Sequence, residues 1–372
     1  MNMHFTPTVE KLPSVVPFVG PETQERARGR KFRARIGANE SVFGPSPRAA
    51  AAMQQTATEV WKYCDPENHD LKQALAVLHG VGPQNIVVGE GIDGLFGYTV
   101  RLFVEPGVTV ATSLGAYPTF NFHVAGYGGR LVTVPYRDDR EDPDTLIALA
   151  EREAARLIFF ANPDNPMGSC WDAVSVQRLI DSVPEGSVLC LDEAYCEFAP
   201  PGTTPAIDVS NPRVLRFRTF SKAHGMAGAR IGYAIGEAEL IRSFDKIRNH
   251  FGVTLIAQAG ALASLQDTAH LASVVCKVAA ARERIAAIAT ASGLKPLPSA
   301  ANFVTIDCRR DGAFARRVLS ELIARDVFVR MPGVSPLDRC IRVSAGLPSD
   351  LDVFEEALPQ ALAAASDCRQ RA

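Results

Sequence analysis

Seven short apolar runs, near residues 85–88, 108–112, 131–135, 156–161, 187–192, 213–218 and 231–235, recur along the first two thirds of the chain. Stretches with helical spacing, such as Leu71 to Leu78 and Val174 to Ser182, lie among or before them. Alternation of this kind constrains the fold more than any single residue does. It predicts an α/β architecture with a mostly parallel sheet covered on both faces. Turns rich in glycine, proline, asparagine or hydroxyl residues follow several of these runs, at the strand ends where open α/β sheets bind ligands.

The most telling turn follows Arg213–Arg218 and reads Thr219-Phe220-Ser221-Lys222-Ala223-His224-Gly225-Met226-Ala227-Gly228-Ala229-Arg230. An amine at a strand end, flanked by two hydroxyls and followed eight residues later by a guanidinium, suits a covalent bond to a phosphorylated aldehyde cofactor. Pyridoxal 5'-phosphate is that cofactor. Thr219 and Ser221 would donate to the phosphate and Arg230 would grip it bidentately. Desolvation and Arg230 are expected to lower the Lys222 pKa, so that the amine can move protons. Gly225, Gly228 and Gly232 would let the loop approach the ligand closely. Taken alone, a Ser-Lys loop is as readily an ordinary solvated surface.

Four further segments bear on the choice. Val188-Leu189-Cys190-Leu191-Asp192-Glu193-Ala194-Tyr195 is a strand ending in an acid, with a tyrosine three positions on. Asp192 would pair with a protonated pyridine nitrogen and Tyr195 would donate to the ring oxygen; the plainer alternative is an acidic helix cap, more readily Glu193. Asn165, between prolines in Asn162-Pro163-Asp164-Asn165-Pro166, either turns the chain or donates to the same oxygen. Gly91, Ile92 and Asp93 open an apolar helix after a strand, a natural phosphate cradle. Tyr117 is placed to stack on a flat ring, or is an ordinary half-buried tyrosine. The run Gly89-x-Gly91-x-x-Gly94 also spells a dinucleotide fingerprint, but the acid that should follow about 20 residues on is missing.

These motifs occur in one order across residues 85–233, and the chain resembles the class I/II aminotransferases, fold type I pyridoxal phosphate enzymes, most closely their histidinol-phosphate branch. Gly37-Ala38-Asn39-Glu40-Ser41-Val42-Phe43-Gly44-Pro45-Ser46, Asn302-Phe303-Val304 and Arg342-Val343-Ser344-Ala345-Gly346 extend the likeness over nearly the whole chain. The resemblance implies that Lys222, Asp192 and Tyr195 are catalytic. It implies that Gly91, Ile92, Asp93, Tyr117, Asn165, Thr219, Ser221 and Arg230 hold the cofactor. Tyr63 would be lent to a neighbouring subunit's phosphate, which implies a homodimer with shared active sites. Arg342, Arg330, Asn39 and Phe18 would meet the substrate. Where that branch usually has a tyrosine in its N-terminal segment, Pro17-Phe18-Val19 has none, so Phe18 lacks a donor to the substrate phosphate; Phe18 and Phe43 would equally line a pocket for an aromatic or aliphatic amino acid. His224 stands where phenylalanine is common.

The expected activity is transamination between an amino acid or amino phosphate and an α-keto acid such as 2-oxoglutarate. A decarboxylase or lyase on the same scaffold, like threonine-phosphate decarboxylase, is the main rival. A non-catalytic pyridoxal phosphate-binding protein and a nicotinamide dehydrogenase follow at a distance. A large domain over 46–268 and a smaller α+β domain from 1–45 and 269–372 are expected. The net charge of −2, with no basic stripe, indicates no nucleic-acid partner. Eight scattered cysteines suggest neither a metal site nor a disulfide framework and fit a reducing cytoplasm. No leader peptide or membrane span is expected, since the N-terminus lacks a basic region followed by an apolar core and no apolar run is long enough to cross a bilayer.

Overall fold

A computed structural model describes residues 4–14 and 18–367; Met1 to Met3 of the N-terminus, Pro17 and Cys368, one of the eight cysteines, lie outside them. Its strands are β1 (Ala34–Arg35), β2 (Ile86–Gly89), β3 (Thr109–Ser113), β4 (Arg130–Val134), β5 (Leu157–Ala161), β6 (Val188–Asp192), β7 (Val214–Thr219), β8 (Gly232–Ile235), β9 (Lys295–Pro296), β10 (Phe303–Asp307), β11 (Val327–Phe328) and β12 (Cys340–Ser344).

The main sheet has the order β2-β8-β7-β6-β5-β3-β4. Only β8 runs against its neighbours, pairing antiparallel with both β2 and β7, so the sheet is mostly parallel as expected. Strands β3, β5 and β6 are buried at every position, which is why they read as continuous apolar runs and not as alternating ones. One face packs on a phenylalanine cluster, Phe96, Phe120, Phe159 and Phe217, and the other on aliphatic side chains of helices 143–152 and 173–181. Side-chain caps start those two helices: Asp142 accepts from Thr145 N–H, and Asp172 from Ser175 N–H.

The remaining chain builds a second core on β12-β10-β9, an antiparallel sheet backed by helices 268–291, 312–324 and 348–367. Parallel pairing of β1 with β11 fastens the N-terminal segment there. Ala194, Tyr195 and Ala223 from the main-sheet motifs are buried in the same cluster, so the second core abuts the strand ends that carry the motifs.

Glu193 does not cap a helix. Arg216 and Arg218, two apart on β7, present both guanidiniums to its carboxylate at 2.6 and 2.9 Å, and no regular α-helix starts behind it. Those charges hold its carboxyl below the usual value against the opposing effect of burial.

Candidate active site

Because β2 shares the direction of β3–β7, the ends of all these strands open on one edge, and the chain folds back across the order there between β3 and β5. A cleft of about 820 Å³ occupies that edge. Ile92 and Asp93 after β2, Tyr117 after β3, Asn165 after β5, Asp192 and Tyr195 at β6, and Thr219, Ser221 and Lys222 at β7 all line it, with Arg230. Arg230 precedes β8, and the antiparallel course of β8 brings it to the same edge. From the second core come Arg330 and Arg342, and from the N-terminal segment Phe18, Asn39 and Glu40.

Lys222 Nζ donates to the main-chain oxygen of Asn39 at 2.9 Å. Burial first, and then the Arg342 charge, lower its pKa to about 8; Arg230, the sequence-based candidate for this effect, contributes less than Arg342. Asn39 is held from several sides. Its N–H donates to Ser344 Oγ at 2.9 Å, its Oδ1 accepts from that hydroxyl at 2.9 Å, and its Nδ2 donates to the Tyr195 hydroxyl at 3.1 Å. Tyr195 keeps its own proton for a further acceptor; burial raises its pKa. Asn165 accepts from Arg342 Nη1 through Oδ1, which leaves its amide N–H₂ facing the cleft. Arg342 and Arg330 exchange main-chain hydrogen bonds at 3.2 and 2.6 Å, so two guanidinium-bearing residues stand opposite each other at one end of the cleft.

The donor set tests the expected cofactor. Asp192 is buried and receives one N–H, from Ala194 at 2.9 Å. Burial pushes its pKa up to about 7, as fits a carboxylate that needs a cation such as a protonated pyridine nitrogen. At the other end, the start of helix 91–103, the Thr219 and Ser221 hydroxyls and Arg230 form a cup suited to a phosphate dianion. Ser221 Oγ already accepts from Arg230 Nη1 at 3.3 Å. Gly91 has φ +75°, and a Cβ there would stand 2.4 Å from Arg230 Nη2, so only glycine leaves the cup intact. The residues fit pyridoxal 5'-phosphate.

The expectations for two of the loop glycines and for Phe43 are corrected. Gly225 closes on the Gly44–Pro45 backbone, where a Cβ would lie 2.1 Å from Gly44 O, and not on a ligand; Gly228 faces open space; Gly232 alone meets the cup, beside Ile92 N. Phe43 does not line the cleft but packs on the second core. His224 is a packed loop histidine, with Nδ1 2.8 Å from Ser264 Oγ and its ring against Phe220; burial lowers its pKa to about 4. Tyr63 is 81% exposed, leans on Phe251 and is not among the residues lining this cleft. The dinucleotide reading fails on topology as well, because β2 is an edge strand paired only with antiparallel β8.

Residues that sequence reasoning missed are Ser344, Asn302, whose Nδ2 donates to Asn39 O at 3.1 Å, and the buried acids Glu141 and Asp164. An acid inside the Asn-Pro turn was the one visible signal for Asp164. Among the described residues no helix is long and apolar enough to cross a membrane.

The profile of the family described as aminotransferase class I and II matches residues 35–358. Histidinol-phosphate aminotransferase of Moorella thermoacetica is 31% identical over 361 residues, 95% of this chain and 92% of its own length. Histidinol-phosphate aminotransferase 1 of Mesorhizobium japonicum is 35% identical over 336 residues, 88% of this chain and 90% of its own. The crystal structure of histidinol-phosphate aminotransferase from Sinorhizobium meliloti, in complex with pyridoxal-5'-phosphate, superposes with a TM-score of 0.95 at 54% identity, covering 98% of this chain and 99% of that one.

Proposed function

The chain belongs to the class I and II aminotransferases and is a pyridoxal phosphate-dependent transaminase of fold type I, and from that premise we propose that its amino donor is histidinol phosphate or a close amino phosphate, with 2-oxoglutarate as acceptor. The observation that carries this reading is the pair Arg330 and Arg342 at one end of the cleft, two cations for a doubly anionic donor or a dicarboxylate acceptor. The names of the similar proteins point the same way. Phe18 favours a second reading: its ring lies 4.3 Å from the Arg330 guanidinium and offers no hydroxyl, which suits an aromatic amino acid.

When bound, pyridoxal 5'-phosphate supplies the electron sink that lets the substrate α-proton leave and carries the amino group between the two substrates. The residues of this chain do the rest. Lys222 anchors the cofactor and, with a pKa near 8, carries the proton to and from the substrate α-carbon. Asp192 keeps the ring nitrogen protonated. Tyr195 and Asn165 would donate to its ring oxygen, and Tyr117 would lie against its ring. Thr219, Ser221, Arg230 and the main chain at Gly91, Ile92 and Asp93 hold the phosphate. Arg342 binds the anionic end of the substrate, with Arg330 and Phe18 setting selectivity; Asn39 orients Lys222 and Tyr195.

We also propose a homodimer in which Tyr63 completes the partner's phosphate cup, supported by the outward exposure of Trp61 and Tyr63, each 81%. The proposed division into a large domain, 46–268, and a small one, 1–45 with 269–372, is supported by the presence of two cores. Seven free cysteines among the described residues suit a cytoplasmic setting.

A screen of amino donors against 2-oxoglutarate tests the reading. Histidinol phosphate should give the highest kcat/KM; a preference for phenylalanine or tyrosine would establish the second reading, and donor consumption without a keto product would remove transamination.

A further inference from the structure

Glu141 and Asp164 are 1% and 2% exposed and meet beneath the turn that carries Asn165. Glu141 follows β4, and its main-chain oxygen accepts from Trp171 Nε1 at 3.0 Å. Its Oε1 accepts from Ala161 N–H, at the end of β5, at 3.0 Å. Asp164 accepts from the Tyr136 hydroxyl at 2.8 Å and from Met167 N–H at 3.0 Å, and its own N–H donates to Ser169 O at 2.8 Å. Glu141 Oε2 remains, buried and with no hydrogen-bond partner, as does the Ser113 hydroxyl; the Asp164 carboxyl lies within hydrogen-bonding range of the Glu141 side chain. The Ser113 hydroxyl is its other neighbour.

Two carboxylates in contact away from water cannot both ionise. One proton between them turns repulsion into a charge-assisted O–H···O bond. Burial pushes Asp164 up to about 7 and Glu141 well above the carboxylate range, in keeping with that arrangement. Tyr136 after β4, Ser113 on β3, Asp192 on β6 and Arg342 on β12 are the polar and charged side chains around the pair.

We infer that Glu141 is a positioning residue: its carboxyl donates to Asp164, and the bonded pair, carrying one negative charge, fixes the turn that sets Asn165 against Arg342. The pair stands behind the residues that line the cleft and acts through the next one in the chain, whose Oδ1 takes the Arg342 hydrogen bond. Its kinetic consequence rests on the roles proposed above for Asn165 and Arg342; the shared proton does not.

Infrared spectra of the holoenzyme at neutral pH should show a protonated-carboxyl stretch that Glu141→Gln removes. The glutamine keeps a donor toward Asp164, so kcat/KM for the amino donor should stay within about threefold of wild type, whereas Glu141→Leu should raise the donor KM by about tenfold or more with cofactor retention unchanged. A band indifferent to Glu141→Gln, or a glutamine variant as impaired as the leucine one, overturns the inference. Should neither variant fold, Asp164→Asn replaces the carboxylate acceptor by an amide and must shift the band; an unmoved band is equally decisive against it. The spectrum is read without turnover, so a wrong substrate assignment leaves this arm standing.

Discussion

The amine of Lys222 and the main-chain oxygen of Asn39 lie 2.9 Å apart across 183 residues of sequence, and Asn39 holds that oxygen in place with a left-handed backbone, φ 55°. The strain is local and the side chain offsets it, bonding to both Ser344 and Tyr195. Asn39→Ala keeps the strained φ and loses both bonds, so a loss of about 2–4 kcal/mol is expected in denaturant melts. Asn39→Gly, free at that φ, should lose about 1 kcal/mol less. Equal losses for the two would show that the backbone conformation carries no cost.

The depressed Lys222 pKa has a consequence for the cofactor-free protein. Between about 8 and the ordinary 10.5, the folded chain binds fewer protons at this site than the unfolded chain, so the lysine's contribution to stability rises with pH across that window. The rate of cofactor capture should likewise rise with pH and level off above about 8, because only the neutral amine attacks an aldehyde. After burial, Arg342 is the largest cause of the shift, so Arg342→Gln should move the midpoint upward. The same substitution should raise the donor KM by about tenfold or more while leaving cofactor retention nearly intact. Stopped-flow absorbance over a pH series reads the midpoint, and an unmoved midpoint would refute the electrostatic assignment.

Gly91 offers a sharper test of the phosphate cup. A Cβ there meets Arg230 Nη2 at 2.4 Å and must also tolerate φ +75°. Gly91→Ala should therefore weaken cofactor binding at least about tenfold, the equivalent of roughly 1.4 kcal/mol. Gly228→Ala, with nothing within 4 Å of the new methyl, should leave it unchanged. Equilibrium titration of the apoenzyme with pyridoxal phosphate compares the two, and equal affinities would argue that Arg230 has no part in the cup.

Much of this site was legible in the chain because each side chain sits within a few residues of a buried apolar strand, where the run and the turn that ends it are both local signals. Asp192, Thr219, Ser221 and Lys222 are of that kind. The antiparallel course of β8 was not, since an apolar run does not record its direction. Nor were contacts made between distant segments: Gly225 against Gly44, Lys222 against Asn39, or Glu141 against Asp164. Arg216 and Arg218 show the same limit, for nothing in the strand's own residues names Glu193, on the neighbouring strand's end, as the carboxylate they share.

Phe18 bears on selectivity. It is 45% exposed, lines the cleft and lays its ring 4.3 Å from the Arg330 guanidinium, whose Nη1 donates to Val19 O at 3.0 Å. Phe18→Tyr preserves that stacking and adds one donor beside the arginine pair. A hydrogen bond from it to a substrate phosphate is worth about 1 kcal/mol, so KM for histidinol phosphate should fall roughly fivefold. An aromatic amino acid carries no phosphate to accept that bond, so its KM should stay the same or rise slightly as the new hydroxyl loses water. Steady-state kinetics with both donors on both enzymes separate these outcomes. A fivefold gain for the aromatic donor, with none for the phosphate, would mean that the ring of Phe18 faces the donor's side chain and that the anionic end lies wholly at Arg342.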